Sequence, residues 1–441
     1  MINIAVVTPW PPQHTGIADY AFDLVSGLSK LDISTHVYTD CENPKMLDNV
    51  KILQIKSCDP SELRGYDIII YQMGNNVTFH LYMLDLVKEY GGIVHLHDMV
   101  LHHIMGWITW MQNNAESYFN LLEKWYGRNV SLICGDLMKH DTMPWECEVV
   151  TDLPLFEELI QYADACIVHS EFARKSVNEA LPDLNVYKLT QAYEGMEIIE
   201  KKYDHSGKKL KIGIFGVIEP NKHVDVILRS LSDFKEYASS WEAHIVGSVG
   251  NICKDIPGIP AKLGIKKNVF FHGRPDSKKF NTLLSDMDII ISLRYPTMGE
   301  TSAVIARAMQ MGIPVIVNNI GWYGELPDFV DKVSVKNTQS ELSVLLEKYL
   351  FDRNYLKEKK KDFVIYSQTE MDFDKIVRDY FDILMRQHQK ECPQRPAENH
   401  KVIELASQTL SDLDLCEDLF LEKIVKKLSI IFQNTNKGSK L

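Results

Sequence analysis

A chain of 441 residues, 45% hydrophobic and 24% charged, is long enough for two globular domains with extensions and too apolar to be disordered. Its formal net charge of −12 argues against a nucleic-acid binder, which needs a basic footprint, and disfavours attachment to anionic lipid by charge. The eight cysteines are scattered singly, with no C-x-x-C pair, which reads as a reduced cytoplasmic protein without structural zinc.

Met1 to Thr8 reads as a buried strand entered directly, so secretion is not supported, and no run of about eighteen apolar residues offers a bilayer span. Strand runs follow at Asp67 to Met73, Ile93 to His97 and Ala165 to Ser170, with helical periodicity at Asp19 to Lys30 and Thr78 to Tyr90. Between them His102 to Asp152 holds helical stretches such as Glu116 to Tyr126 and no convincing strand, as an insertion would. The pattern restarts at Lys211 to Phe215 and continues at Ala243 to Val246, Val269 to Phe271, Asp288 to Leu293 and Pro314 to Asn318. Two βα series predict an α/β chain of two doubly wound domains, residues 1–195 and 196–368, hinged near Ala192 to Lys208. A closing helix is expected at residues 369–390, followed by a helical tail over 391–441 with apolar spacing at Leu410, Leu413, Phe420, Ile424 and Leu428.

In such sheets the ligand sits beyond the carboxyl ends of the strands. The first loop, TPWPPQHTGIADY, places Gly16 at a helix start, where backbone amides can approach an anion. The third strand ends in IVHLHDMVLHH, with His95, His97, His102 and His103 beside Asp98. A metal reading is weak, because only same-parity side chains share a strand face and no further carboxylate or cysteine stands at ligand spacing. His97, at the strand end, is better placed to bond a ligand. In the second domain Gly216 and then Lys222 precede the helix Val224 to Leu231, a good place for a diphosphate. Neither G-x-G-x-x-G nor a Walker glycine loop is present there. The segment SLRYPTMGETSAVIARAMQMGIP then carries Arg294 on a strand and Gly299, Glu300, Thr301 and Ser302 in a turn that opens a helix.

Together these segments resemble the GT-B glycosyltransferases, in particular the retaining family 4 (glycosyltransferase group 1). The matching patterns are the proline-rich loop with TGIADY, the strand ending at His97, the G-(R)-x-x-P-x-K block, and the acidic turn and helix followed by Gly312 to Ile316 and Gly321 to Glu325. The resemblance implies two Rossmann-like domains facing across a cleft. It also implies transfer of a hexose from a nucleotide-diphosphate sugar to a saccharide, lipid-linked or protein acceptor, with retention and without a tightly bound metal or cofactor. Under it His97, Glu300 and Lys222 are the catalytic candidates. Gly16, Gly216, Arg274, Arg294, Gly299, Thr301, Ser302 and Glu325 are the nucleotide-sugar-binding candidates, with Arg274 near the base.

Departures from the family pattern are specific. Val217 stands where the phosphate block carries arginine, and Arg294 is the candidate replacement. The paired glutamates fall on Gly299 and Arg307, so Glu300 would replace the first, and Arg307 cannot accept bonds from ribose. These changes keep open a non-catalytic sugar-nucleotide-binding partner, and the architecture leaves a phosphorylase or epimerase as a further class. The tail suggests self-association, its Lys423, Lys426 and Lys427 leave peripheral membrane contact open, and the resemblance suggests surface-polysaccharide or lipid-linked oligosaccharide assembly.

Overall fold

The computed structural model describes residues 2–112, 114–140, 142–199 and 209–389. The expected tail helix lies outside the described residues.

Two parallel sheets organise the chain. The first comprises β1 (Ile2–Val7), β2 (Ile33–Thr39), β3 (Lys51–Gln54), β4 (Ile68–Met73), β5 (Ile93–Leu96), β6 (Ala165–Val168) and β7 (Asn185–Lys188), in the order β3-β2-β1-β4-β5-β6-β7. The second comprises β8 (Leu210–Phe215), β9 (Trp241–Val246), β10 (Val269–Phe271), β11 (Ile289–Ser292), β12 (Val315–Asn318) and β13 (Asp331–Val333), in the order β10-β9-β8-β11-β12-β13. Central strands such as IIIYQM are buried along their whole length, because helices cover both faces of a parallel sheet. Their β-branched side chains suit the pleat, and burial on both faces replaces the alternation that a half-exposed strand shows.

The insertion folds as helices His102–Ile108, Ala115–Tyr126 and Arg128–Lys139, with no strand among its described residues. Tyr118, Leu122, Val130, Cys134 and Leu137 pack together and join the first domain's core. Among the described residues no helix is long and apolar enough to cross a membrane.

The first sheet ends at Lys188 and the second begins at Leu210, and the chain returns to the first domain as helix Phe373–Gln389. That helix buries Ile376, Val377, Tyr380, Ile383 and Leu384, the spacing of one helical face. It packs on helix Gly16–Leu28. Gly27 permits the approach, since a Cβ there would lie 2.6 Å from Val377 Cγ2. Both crossings meet at Gln310, which is 4% exposed. Its Oε1 accepts from Tyr193 N (2.8 Å), and its Nε2 donates to Tyr193 O (3.0 Å) and Met371 O (3.2 Å). Gln310→Leu preserves volume but strands these backbone groups, so about 2–4 kcal/mol of stability should be lost in urea unfolding. A loss below about 0.5 kcal/mol would show that the clamp contributes nothing.

Candidate functional site

Each sheet reverses its strand order once, between β1 and β4 and between β8 and β11, and a crevice opens outside the carboxyl ends at such points. The loops that leave these strands, residues 8–15, 74–76, 216–223 and 293–302, come from both domains and meet along one seam.

The second domain supplies the charge. Gly216 holds φ +99°, and a side chain there would take the place of the Lys222 ammonium. Lys222 Nζ donates to Phe215 O (3.2 Å). Burial pushes this ammonium down to about 7, Arg294 adds to the push, and Glu300 and Glu219 oppose it. Arg294 reaches the same turn from the end of β11, with Nη1 3.4 Å from Asn221 Oδ1 and its backbone N held by Asn318 Oδ1 (2.8 Å). Its Nε pairs with Glu300 Oε1 at 2.8 Å. The other Glu300 oxygen accepts from Thr297 Oγ1 (2.9 Å) and Met298 N (2.7 Å), so the carboxylate holds its own turn together. Val217, by contrast, is 44% exposed and brings no charge, so Arg294 is the second cation at this turn.

Helix starts surround these groups. Helix Gly16–Leu28 is capped by Thr15, helix Ala303–Gln310 by Ser302, and helix Val224–Ser232 begins after His223, which holds φ +47°. The unpaired first-turn amides of a helix attract anions. The first two starts face each other across the seam, since a Cβ on Gly16 would lie 3.7 Å from Ala303 Cβ. Further bonds close the seam. Arg274 Nη2 donates to His14 O (3.1 Å), Thr301 Oγ1 to Gln191 Oε1 (2.9 Å) and Tyr295 Oη to Glu148 Oε2 (2.8 Å). Glu325 accepts from Glu171 N at 2.7 Å, which places this binding candidate at the start of helix Glu171–Ala180. Arg307 pairs with Asp19 (3.1 Å) and lies over the Tyr193 ring.

The histidine candidates separate. His102 is buried between Leu153 O and Tyr118 Oη, and His103 bonds Asn75. His95 and His97 stand with His169, which follows β6 and has no counterpart among the residues singled out in the sequence. The signal for it was register, since Leu96 pairs with Val168 and the next residues are His97 and His169. Candidate ligand atoms of the three lie within 4.8 Å of one another. Yet the rings of His95 and His97 are stacked at 4.4 Å and 23° from parallel, so their in-plane lone pairs do not converge on one ion.

The His97 ring also turns away from the cleft. It is 6% exposed, with Nε2 2.7 Å from Gln72 Oε1 and Nδ1 3.1 Å from His169 Nε2. Leu189 O accepts from His169 Nδ1 (2.9 Å) and Gln72 Oε1 accepts from His97 Nε2, so in the neutral trio each of these two rings spends its one proton on a flanking oxygen and His97 Nδ1 faces His169 Nε2 without a proton of its own. Burial pushes all three below the usual histidine range, His169 to about 4. Both ring nitrogens of His97 here face Gln72 and His169.

Residues 195–369 match the family model described as glycosyl transferases group 1. No curated protein matches the sequence. Among solved structures, sucrose-phosphate synthase from Thermosynechococcus elongatus superposes with a TM-score of 0.63 at 12% identity, over 88% of this chain and 99% of that one. HepE from Anabaena in complex with UDP-glucose gives 0.60 at 13%, over 88% and 100%. WaaG, a glycosyltransferase involved in lipopolysaccharide biosynthesis, gives 0.57 at 12%, over 86% and 99%. At such identities the structures testify to the fold, and the family model to the second domain. The second domain is thus similar to the group 1 glycosyl transferases, and the two domains together share the fold of solved GT-B glycosyltransferases.

Proposed function

We propose that this enzyme transfers a hexose from a uridine-diphosphate donor, such as UDP-glucose, to a hydroxyl of a saccharide or lipid-linked acceptor. The observation that carries the reading is the meeting of Lys222, Arg294 and two facing helix starts on one seam. A diphosphate is the ligand such a place suits, and the same cations take up its charge as it leaves. Gly16 and Ser302 offer first-turn amides, and the Gly216 turn sets the ammonium. Arg274, held to His14 O at the edge of the seam, stands for the base. The complex of the similar HepE with UDP-glucose supports the choice of nucleotide and sugar.

A thermal-shift panel of UDP, UDP-glucose, ADP-glucose and GDP-mannose tests this, since selective binding raises the melting temperature. UDP compounds should shift it most, and a panel with no shift would overturn the proposal. The exposed Val217 and the engaged Arg307 favour a second reading, a partner subunit that binds the sugar nucleotide without turnover. Release of UDP from UDP-glucose by the purified protein separates the two.

A further inference from the structure

We propose that Asp98 is a sugar-binding carboxylate, holding hydroxyls of a hexose in the seam opposite Arg294 and Glu300. The proposal rests on the nucleotide-sugar reading above and adds a first-domain contact to it.

Asp98 stands two residues past the end of β5, and its Oδ2 accepts from Asn75 N (2.8 Å) in the loop after β4. Among the described residues no donor engages Oδ1. The next residues dock on the other domain. Val100 N donates to Met298 O at 3.1 Å, and Gly299, with φ +67°, leaves room for Met99, since a Cβ there would lie 2.7 Å from Met99 Cβ. Asp98 is thus fixed beside the turn that carries Glu300, close enough that the charges of Glu300 and Arg294 both act on it. Even so, among the described residues no ion pair joins it to Arg294, whose short charge contact is Glu300.

The two carboxylates come from different domains and flank one guanidinium. A diphosphate would be repelled by Asp98, whereas a sugar hydroxyl can donate to it. Burial raises the Asp98 carboxyl to about 6, with Glu300 adding to the rise and Asn75 N and Arg294 opposing it. A hydroxyl donor would offset that burial in place of water. While Gln72 and His169 engage the His97 ring nitrogens, Asp98 keeps one carboxylate oxygen without a donor among the described residues.

The test compares the full chain with Asp98→Asn, which keeps an oxygen for Asn75 N. Calorimetry would use UDP and UDP-glucose, and kinetics would follow UDP release with and without a saccharide acceptor. If the donor hexose is held, UDP affinity stays within about twofold while UDP-glucose affinity falls at least about tenfold, the loss expected for one charge-assisted bond. If the acceptor is held instead, both affinities stay and the KM for the acceptor rises about tenfold. Unchanged binding and kinetics would overturn the proposal alone, as would equal losses for UDP and UDP-glucose, which mark a structural role. A wild type that binds no nucleotide would overturn the nucleotide-sugar reading and this proposal with it. Asp98→Ser serves as a second variant should Asn fail to fold.

Discussion

UDP-glucose affinity should be flat between about pH 6 and 7 and fall by up to about tenfold for each unit above, as the free enzyme loses the Lys222 proton. The sign follows from the site. In the free protein, burial holds this ammonium down to about 7. A bound diphosphate favours the charged form, so the bound value is higher and binding above pH 7 draws in a proton. Below the free value the ammonium is already present and nothing is gained by further acid. UDP-glucose is the right probe because its diphosphate carries no terminal phosphate that titrates near pH 6. Calorimetry at pH 8 in buffers of different ionisation enthalpy should report uptake of nearly one proton. Lys222→Ala should cost about 1.5–3 kcal/mol of binding at pH 6.5 and flatten the pH dependence. Lys222→Arg should flatten it while keeping most of the affinity. A slope that persists in Lys222→Ala would assign the proton elsewhere.

The second large effect concerns Glu300. Its carboxylate pairs with Arg294 and accepts two further bonds within the turn, so Glu300→Gln removes the counter-charge of a guanidinium with little access to solvent. Breaking such a pair from one side costs about 3–5 kcal/mol, because the remaining buried charge loses its short-range partner. We expect a loss of about 3 kcal/mol in denaturant unfolding, together with a fall in turnover of about a hundredfold or more. The double variant Arg294→Gln, Glu300→Gln should recover stability to within about 1 kcal/mol of wild type, since no unpaired charge remains. Its turnover should stay low, because the diphosphate still lacks Arg294. Recovery of transfer in the double variant would mean that the pair serves the fold alone.

The candidates on the second domain were legible because their chemistry is local. Gly216, Lys222, Arg294 and Glu300 lie on the two loops at one switch point, and strand runs such as IGIF and DIIISL announce where those loops begin. The strands missed in the sequence were the polar or short ones. β2 reads ISTHVYT, β7 NVYK and β13 DKV, which the neighbouring strand stabilises more than their own composition does. Pairings such as Arg307 with Asp19, 288 positions apart, cannot be read from spacing. The inward turn of His97 has the same cause. Strand position promised the cleft, while Gln72 and His169 on the flanking strands captured both ring nitrogens.

The clamp at Gln310 makes the two domains a lever. Because the outgoing and returning chain are bonded to one side chain, an opening that keeps these bonds would be a swing about that axle rather than a sliding apart. Arg307, one helical turn away, would travel little and could keep Asp19 through such a swing. Ala303, at the far end of the same helix and about 10 Å from the axle by helical rise, would travel further and leave Gly16 first. In such a swing the seam would part first where Gly16 meets Ala303 and last at Arg307, so the side chain that fixes the axle would also set which end of the seam opens.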